Sequence, residues 1–312
     1  MAAFVGCVML LVACTPRVGI TSAPTSAIDT EAIDETVAAP TNVMPGAIGP
    51  MHARLSPACS TPNASMLPDR LVVRGQERLV LSHAPDRPDP APRDLVIAFH
   101  GRTNDAARAR RYFGLDASLP DAVIVYPQAL PGGPGAYAWA DPGDPADALR
   151  DFDLVDAIVD AVGQVRCIDL ARVFVVGHSL GAYFANDVAC ALGDRVRAVA
   201  SVAGGLQGGP CVAGTAALLI HHPDDPLVPL SAGERARDAF RVANGVSDAP
   251  ASPAAHPALA PLRCVRQGDE GTPDPVVWCA HDDATWPGGR YDPHVWPDAT
   301  ATAIAAFFRH LP

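Results

Sequence analysis

Gly177-His178-Ser179-Leu180-Gly181 is the stretch whose residue types and spacing point most directly to chemistry. It follows the strand-like run Arg172–Val176 and precedes Gly181 and Ala182, small residues that suit a helix start. A G-x-S-x-G between strand and helix has the spacing of a nucleophile elbow: the glycines permit a sharp turn that lifts the serine hydroxyl above the sheet edge. The N–H of Leu180 then sits at a helix N-terminus, where an oxyanion is stabilised. His178 reads as structural, because its side chain cannot point the same way as that of Ser179.

A serine is a poor nucleophile at its free pKa, so a base and an orienting acid must follow. On an elbow of this kind they come in the chain order Ser, Asp or Glu, His. After the apolar run Ala216–Ile220 comes Pro223-Asp224-Asp225-Pro226, at the carboxyl end of a strand, where parallel sheets place functional groups. Asp225 is the expected acid and Asp224 the alternative; a plain solvated turn would also suit these residues. The base is expected at His294, in Tyr291-Asp292-Pro293-His294-Val295-Trp296-Pro297 just before the final helix, with His281 the alternative. The second oxyanion donor is expected to be the backbone N–H of Arg102, after His100-Gly101. Trp139, Trp286, Tyr291 and Trp296 are candidates to line a substrate cleft, against ordinary packing as the bland reading.

Composition narrows the options. The 312 residues contain no lysine, so all 23 cations are arginine, which removes Schiff-base chemistry, a Ser–Lys dyad and a phosphate-loop lysine. The 34 acids comprise 29 Asp and 5 Glu, which favours aspartate as the orienting acid. A net charge of −11 without a basic cluster argues against nucleic acid and against a polybasic membrane patch. No C-x-x-C or H-x-x-x-H spacing suggests a metal, and no cofactor is expected.

Residues 1–14 form a charge-free apolar stretch that reads as an export signal, too short to span a bilayer as a helix. Leu11-Val12-Ala13-Cys14 resembles the bacterial lipobox, so Cys14 is a candidate for lipidation and the only expected link to a membrane. Residues 15–57, rich in Pro, Ala, Thr and Ser, read as a flexible tether, leaving 58–312 as the folded domain. In an exported chain, Cys59, Cys167, Cys190, Cys211, Cys264 and Cys279 suggest up to three disulfides. The sequence-local pairs Cys190–Cys211 and Cys264–Cys279 lead, leaving Cys59–Cys167.

The domain alternates strand-like runs (93–100, 121–126, 172–176, 197–202, 216–220, 274–278) with helical spacings (148–166, 180–192, 231–242, 298–309). That order implies an α/β fold with a mostly parallel sheet and helices on both faces.

These residues resemble the exported α/β-hydrolase esterases that include feruloyl esterases, acetyl xylan esterases and polyhydroxybutyrate depolymerases. The likeness runs through LVIAFHGRT (95–103), VIVYPQAL (123–130), RCIDLARVFVVGHSLGAYFANDVAC (166–190), HHPDDPLVP (221–229), VVWC (276–279) and HVWP (294–297). It implies an α/β-hydrolase fold, an ester substrate with polymers among the candidates, and a triad falling on Ser179, Asp225 and His294. Cys-Ile-Asp before the elbow strand and the Cys after the elbow helix look like the feruloyl-esterase branch. Two departures stand out. His222 replaces a glycine of the family's H-G-x-x-D pattern, and Asp283–Gly289 is similar to a G-H-T-W-P-G-G segment with Ala284 at the histidine. Rival readings are a serine peptidase of the same fold and a catalytically inactive carbohydrate- or surface-binding lipoprotein. The sequence is silent on oligomeric state.

Overall fold

Leu95-Val96-Ile97-Ala98-Phe99 is buried along its whole length, as are the runs Val123–Pro127, Ala198–Val202 and Ala216–His221. Strands with no exposed face must be covered by helices on both sides. The computed structural model describes residues 54–61, 65–85, 91–144, 147–211, 214–246, 251–268, 271–285 and 292–312. In chain order they form β1 (Arg70–Val73), β2 (Gln76–His83), β3 (Arg93–Phe99), α1 (Ala106–Phe113), α2 (Leu115–Ser118), β4 (Val123–Pro127), β5 (Leu130–Gly133) and β6 (Ala136–Ala138). There follow α3 (Phe152–Val165), β7 (Ile168–His178), α4 (Leu180–Ala191), β8 (Ala198–Val202), β9 (Ala216–His221), α5 (Leu230–Ala243), β10 (Ser252–Pro253), β11 (Cys264–Gln267), β12 (Val276–Ala280) and α6 (Thr300–Arg309).

Ten strands join one sheet in the order β1-β2-β4-β3-β7-β8-β9-β12-β11-β10. The six from β4 to β12 run parallel, and antiparallel strands extend both edges. Alternation along each strand divides the core. Val96, Phe174, Val176 and Leu218 pack with Phe113 of α1 and Phe308 of α6 on one face. Leu95, Ile97, Val175 and Leu219 pack with Ile158 of α3, Phe184 of α4 and Phe240 of α5 on the other. This is the doubly covered, mostly parallel sheet that the sequence pattern implies.

The order reverses at β3. From β3 the chain crosses to β4 on one side and then to β7 on the other, so the connections leaving β3 and β7 diverge. A crevice between the carboxyl ends of two such strands is where open α/β sheets bind ligands. Phe99 of β3 pairs with Gly177 of β7, so His100-Gly101 and Ser179 leave the sheet side by side.

The three disulfides are Cys59–Cys167, Cys190–Cys211 and Cys264–Cys279. The last lies across the ladder, joining residues directly opposite on β11 and β12. One boundary shifts. Residues 54–57, expected at the end of the tether, join the fold: Leu55 bridges to Asp169, and buried Ser56 donates through Oγ to Arg166 O at 2.9 Å. Its hydroxyl also accepts from Ile168 N, a contact that polar, Pro-flanked composition does not reveal. Cys14 lies outside the described residues, and no helix among those described is long and apolar enough to cross a membrane.

Candidate active site

Ser179 terminates β7 and caps α4 with φ 58° and ψ −125°, a backbone conformation that costs a non-glycine residue about 1–3 kcal/mol. The glycines around it are dictated by space. A Cβ at Gly177 would lie 2.1 Å from Gly181 O, and one at Gly181 would lie 2.2 Å from Phe99 O. Strand, turn and helix therefore close tightly enough to hold the strained serine in place. Ser179 N donates to Val202 O at 2.9 Å, fixing the turn to the neighbouring strand.

The loop after β3 is fixed as firmly. A Cβ at Gly101 would sit 3.2 Å from Ser179 Cβ and 3.8 Å from its Oγ, so this loop borders the serine directly. Three successive carbonyls of the loop each have a donor. Trp139 Nε1 donates to His100 O at 2.8 Å, and Tyr137 N donates to Arg102 O at 2.8 Å. Between them, Gly101 O lies 2.8 Å from His100 Nδ1. The tautomer follows from chemistry: Ala129 N–H can only donate, and it meets His100 Nε2 at 3.1 Å, so in the neutral ring the proton is on Nδ1 and goes to Gly101 O. Burial lowers the pKa of His100, which favours that neutral ring. Because a trans peptide directs its C=O and N–H oppositely, pinning Gly101 O also fixes the direction of the Arg102 N–H.

His294 and Asp225 meet across 69 residues, with His294 Nδ1 2.7 Å from Asp225 Oδ2. The other carboxylate oxygen accepts from Leu227 N at 2.8 Å and Val228 N at 2.9 Å. Burial by itself would raise the Asp225 pKa; the hydrogen bonds from His294 and from these two N–H groups outweigh it and hold the pKa below the usual carboxylate range. Asp224 is exposed, and its backbone N–H donates to His222 Nδ1 at 3.0 Å. His281 is buried and packs its ring against His222, with centroids 5.3 Å apart. The Asp–His pair thus unites Asp225 with His294, and Ala284 is buried.

The aromatic residues need correction. Trp139 is 5% exposed, stacked on Phe184 and edge-on to Phe99; Trp296 is 7% exposed and stacked on Phe113. Both belong to the hydrophobic core instead of an open cleft, because rings of that size find facing aromatic partners there. Trp286 and Tyr291 lie outside the described residues. A second buried network supports the Trp139 segment: Asp151 bonds Arg78 at 2.5 Å and accepts from Ala140 N at 2.7 Å. Among the described residues, no group of three or more His, Cys, Asp or Glu is arranged to hold a metal ion.

Buried histidines make the fold acid-sensitive. Burial, aided by neighbouring histidines, pushes His178 down to about 3 and His281 down to about 4, while the unfolded chain titrates near 6.5. Below that value the unfolded state binds more protons, so stability falls as pH falls. Asp187, raised to about 6 chiefly by burial, acts in the opposite direction. Between pH 7 and 5 each of the two histidines costs about 2 kcal/mol and Asp187 returns about 1, a net loss on the order of 3 kcal/mol. Urea midpoints should therefore drop between these pH values, and a flat profile would show that the histidines are not held neutral.

No protein-family model matches the chain. Over 254 residues it is 29% identical to feruloyl esterase C of Emericella nidulans, spanning 78% of this chain and 88% of that one. It is 30% identical over 221 residues to the probable feruloyl esterase C of Aspergillus flavus, spanning 67% and 76% of the two chains. The carboxylesterase of Bacillus cereus has a similar fold, with a TM-score of 0.52 at 11% identity over 75% of this chain and 95% of that one. With the sheet, the elbow and these relatives in view, the chain belongs to the feruloyl-esterase-related family of α/β-hydrolase esterases and is a carboxylic ester hydrolase.

Proposed function

We propose that Ser179, His294 and Asp225 form a nucleophile–base–acid triad that cleaves esters through an acyl-enzyme. The observation that carries the reading is the 2.7 Å bond between His294 Nδ1 and Asp225, made beside an elbow that holds Ser179 at positive φ. With Nδ1 committed to Asp225, Nε2 is the nitrogen left to take the Ser179 proton. Ser179 Oγ then attacks the ester carbonyl, and the tetrahedral oxyanion is met by the N–H groups of Leu180 and Arg102. Collapse expels the alcohol, protonated by His294, and water activated by the same imidazole releases the acid.

For the substrate we favour a feruloyl or related polysaccharide ester, because the two relatives named above are a feruloyl esterase and a probable feruloyl esterase, each matched over most of its length. An acetylated polysaccharide and a polyhydroxyalkanoate are the other members of the class. The three disulfides suit an oxidising compartment, which supports export, with Cys14 as the residue for a lipid anchor. A fluorophosphonate probe should label the peptide carrying Ser179. Methyl ferulate should then be turned over faster than acetylated xylan or hydroxybutyrate oligomers. Failure to label and to hydrolyse any of these would overturn the reading; turnover of the oligomers alone would overturn the choice of substrate.

A further inference from the structure

His178 takes no part in the chemistry above, yet its setting is unlike that of a packing residue. It continues the alternation of Phe174 and Val176 along β7, so its side chain emerges on the sheet face covered by α1 and α6, away from Ser179. There it is 3% exposed. Tyr112 Oη lies 3.0 Å from its Nδ1, and the Trp296 ring meets it edge-on at 6.0 Å. Its remaining face lies against His294, with ring centroids 5.2 Å apart and planes inclined by 27°.

We propose that His178 is a positioning residue for the base: its ring is the surface on which the His294 imidazole rests, fixing the plane of that imidazole and facing the charge that develops on it. The inference rests on His294 being the base of the triad. The hydrogen bond from Nδ1 to Asp225 sets one edge of the imidazole, and the flat ring of His178 supports its plane. When His294 takes the serine proton it becomes a cation against an aromatic face, an attractive arrangement.

The surroundings keep His178 from competing for the proton. Burial, and then the proximity of His294, pushes it down to about 3, with Asp225 and His281 also within electrostatic reach. Tyr112, the other titratable group against it, is held as the neutral phenol by burial. The Nε2 of His178 is buried against the His294 main chain, so the ring is held beside the same residue it stacks on.

The test compares His178→Leu with His178→Phe in the full chain, reading kcat and KM for a p-nitrophenyl ester together with the melting temperature. For His178→Leu, kcat should fall about tenfold, within the roughly 2- to 30-fold range of an aromatic–cation contact, with KM within about twofold. Both variants lose the bond to the Tyr112 hydroxyl, so their melting temperatures should fall alike. The phenylalanine variant, which keeps a flat face, should recover most of kcat. Wild-type kcat in His178→Leu would overturn the proposal, as would a loss of kcat that tracks a loss of stability in both variants. His294→Ala separates the two readings: if it stays active, the triad assignment fails, whereas an inactive His294→Ala beside a fully active His178→Leu defeats only the role of His178.

Discussion

Ser179→Ala is expected to lower kcat for p-nitrophenyl ester hydrolysis by at least about 10⁴-fold while the protein stays folded. The two halves of this expectation have separate causes. Activity is lost because the attacking oxygen is gone, and no other hydroxyl is held at the turn between β7 and α4. The fold survives because the strain at this position belongs to the backbone, at φ 58°, and alanine bears it much as serine does. Ser179→Gly offers a second measurement. Glycine adopts positive φ without a Cβ penalty, so that variant should be equally inactive yet melt no lower than the alanine variant. Wild-type turnover in either protein would remove Ser179 from the mechanism.

Asp225→Asn should cost nearly as much, on the order of 10⁴-fold in kcat, with little change in KM. Asp225 accepts three hydrogen bonds, one from His294 and two from the backbone of its own loop. An asparagine can satisfy the two loop N–H groups through its oxygen, but it then turns an NH₂ toward His294. The imidazole responds by placing its proton on Nε2, where it can no longer accept from Ser179. His294→Ala should give a comparable loss, whereas His281→Ala should retain activity because His281 packs on His222 and not on Asp225. Loss confined to His281→Ala would exchange the two histidines' roles.

Much of this arrangement is legible in the amino-acid order, and the parts that are not share a cause. Strands β3, β4, β8 and β9 read clearly because each is a continuous apolar run, as burial on both faces demands. The hairpin β1–β2 escapes notice. Most of its residues are exposed or half-buried, and of its three buried ones, Val73, Arg78 and Val80, one is an arginine paired with Asp151, so it lacks a strong apolar signal. Helix α1 is similarly obscured by Arg108, Arg110 and Arg111 on its outer side. Motif and chain order suffice to nominate Asp225 and His294, but the bond between them spans 69 residues and belongs to the tertiary fold. Trp139 shows the limit most plainly. Its indole suits a cleft on composition alone, and only Phe99, Phe184 and the His100 carbonyl reveal it as a buried clamp on the loop beside Ser179. His100 has the same history: the His-Gly pair is visible, while its tautomer depends on Ala129.

Strand β7 can also be treated as a measuring rod. Ile168, at its start, lies beside Cys167 and its bridge to Cys59, and the residues from Arg54 onward are laced to the same end through Leu55 and Ser56. His178, at its finish, adjoins Ser179. The irregular start of β7 shortens it: Ile168 to Gly177 runs alongside only the six steps of β3 from Arg93 to Phe99, so at about 3.3 Å per residue the two ends lie roughly 20 Å apart. Among the described residues, the amino end of the chain therefore joins the sheet at the end of β7 remote from the elbow that carries Ser179.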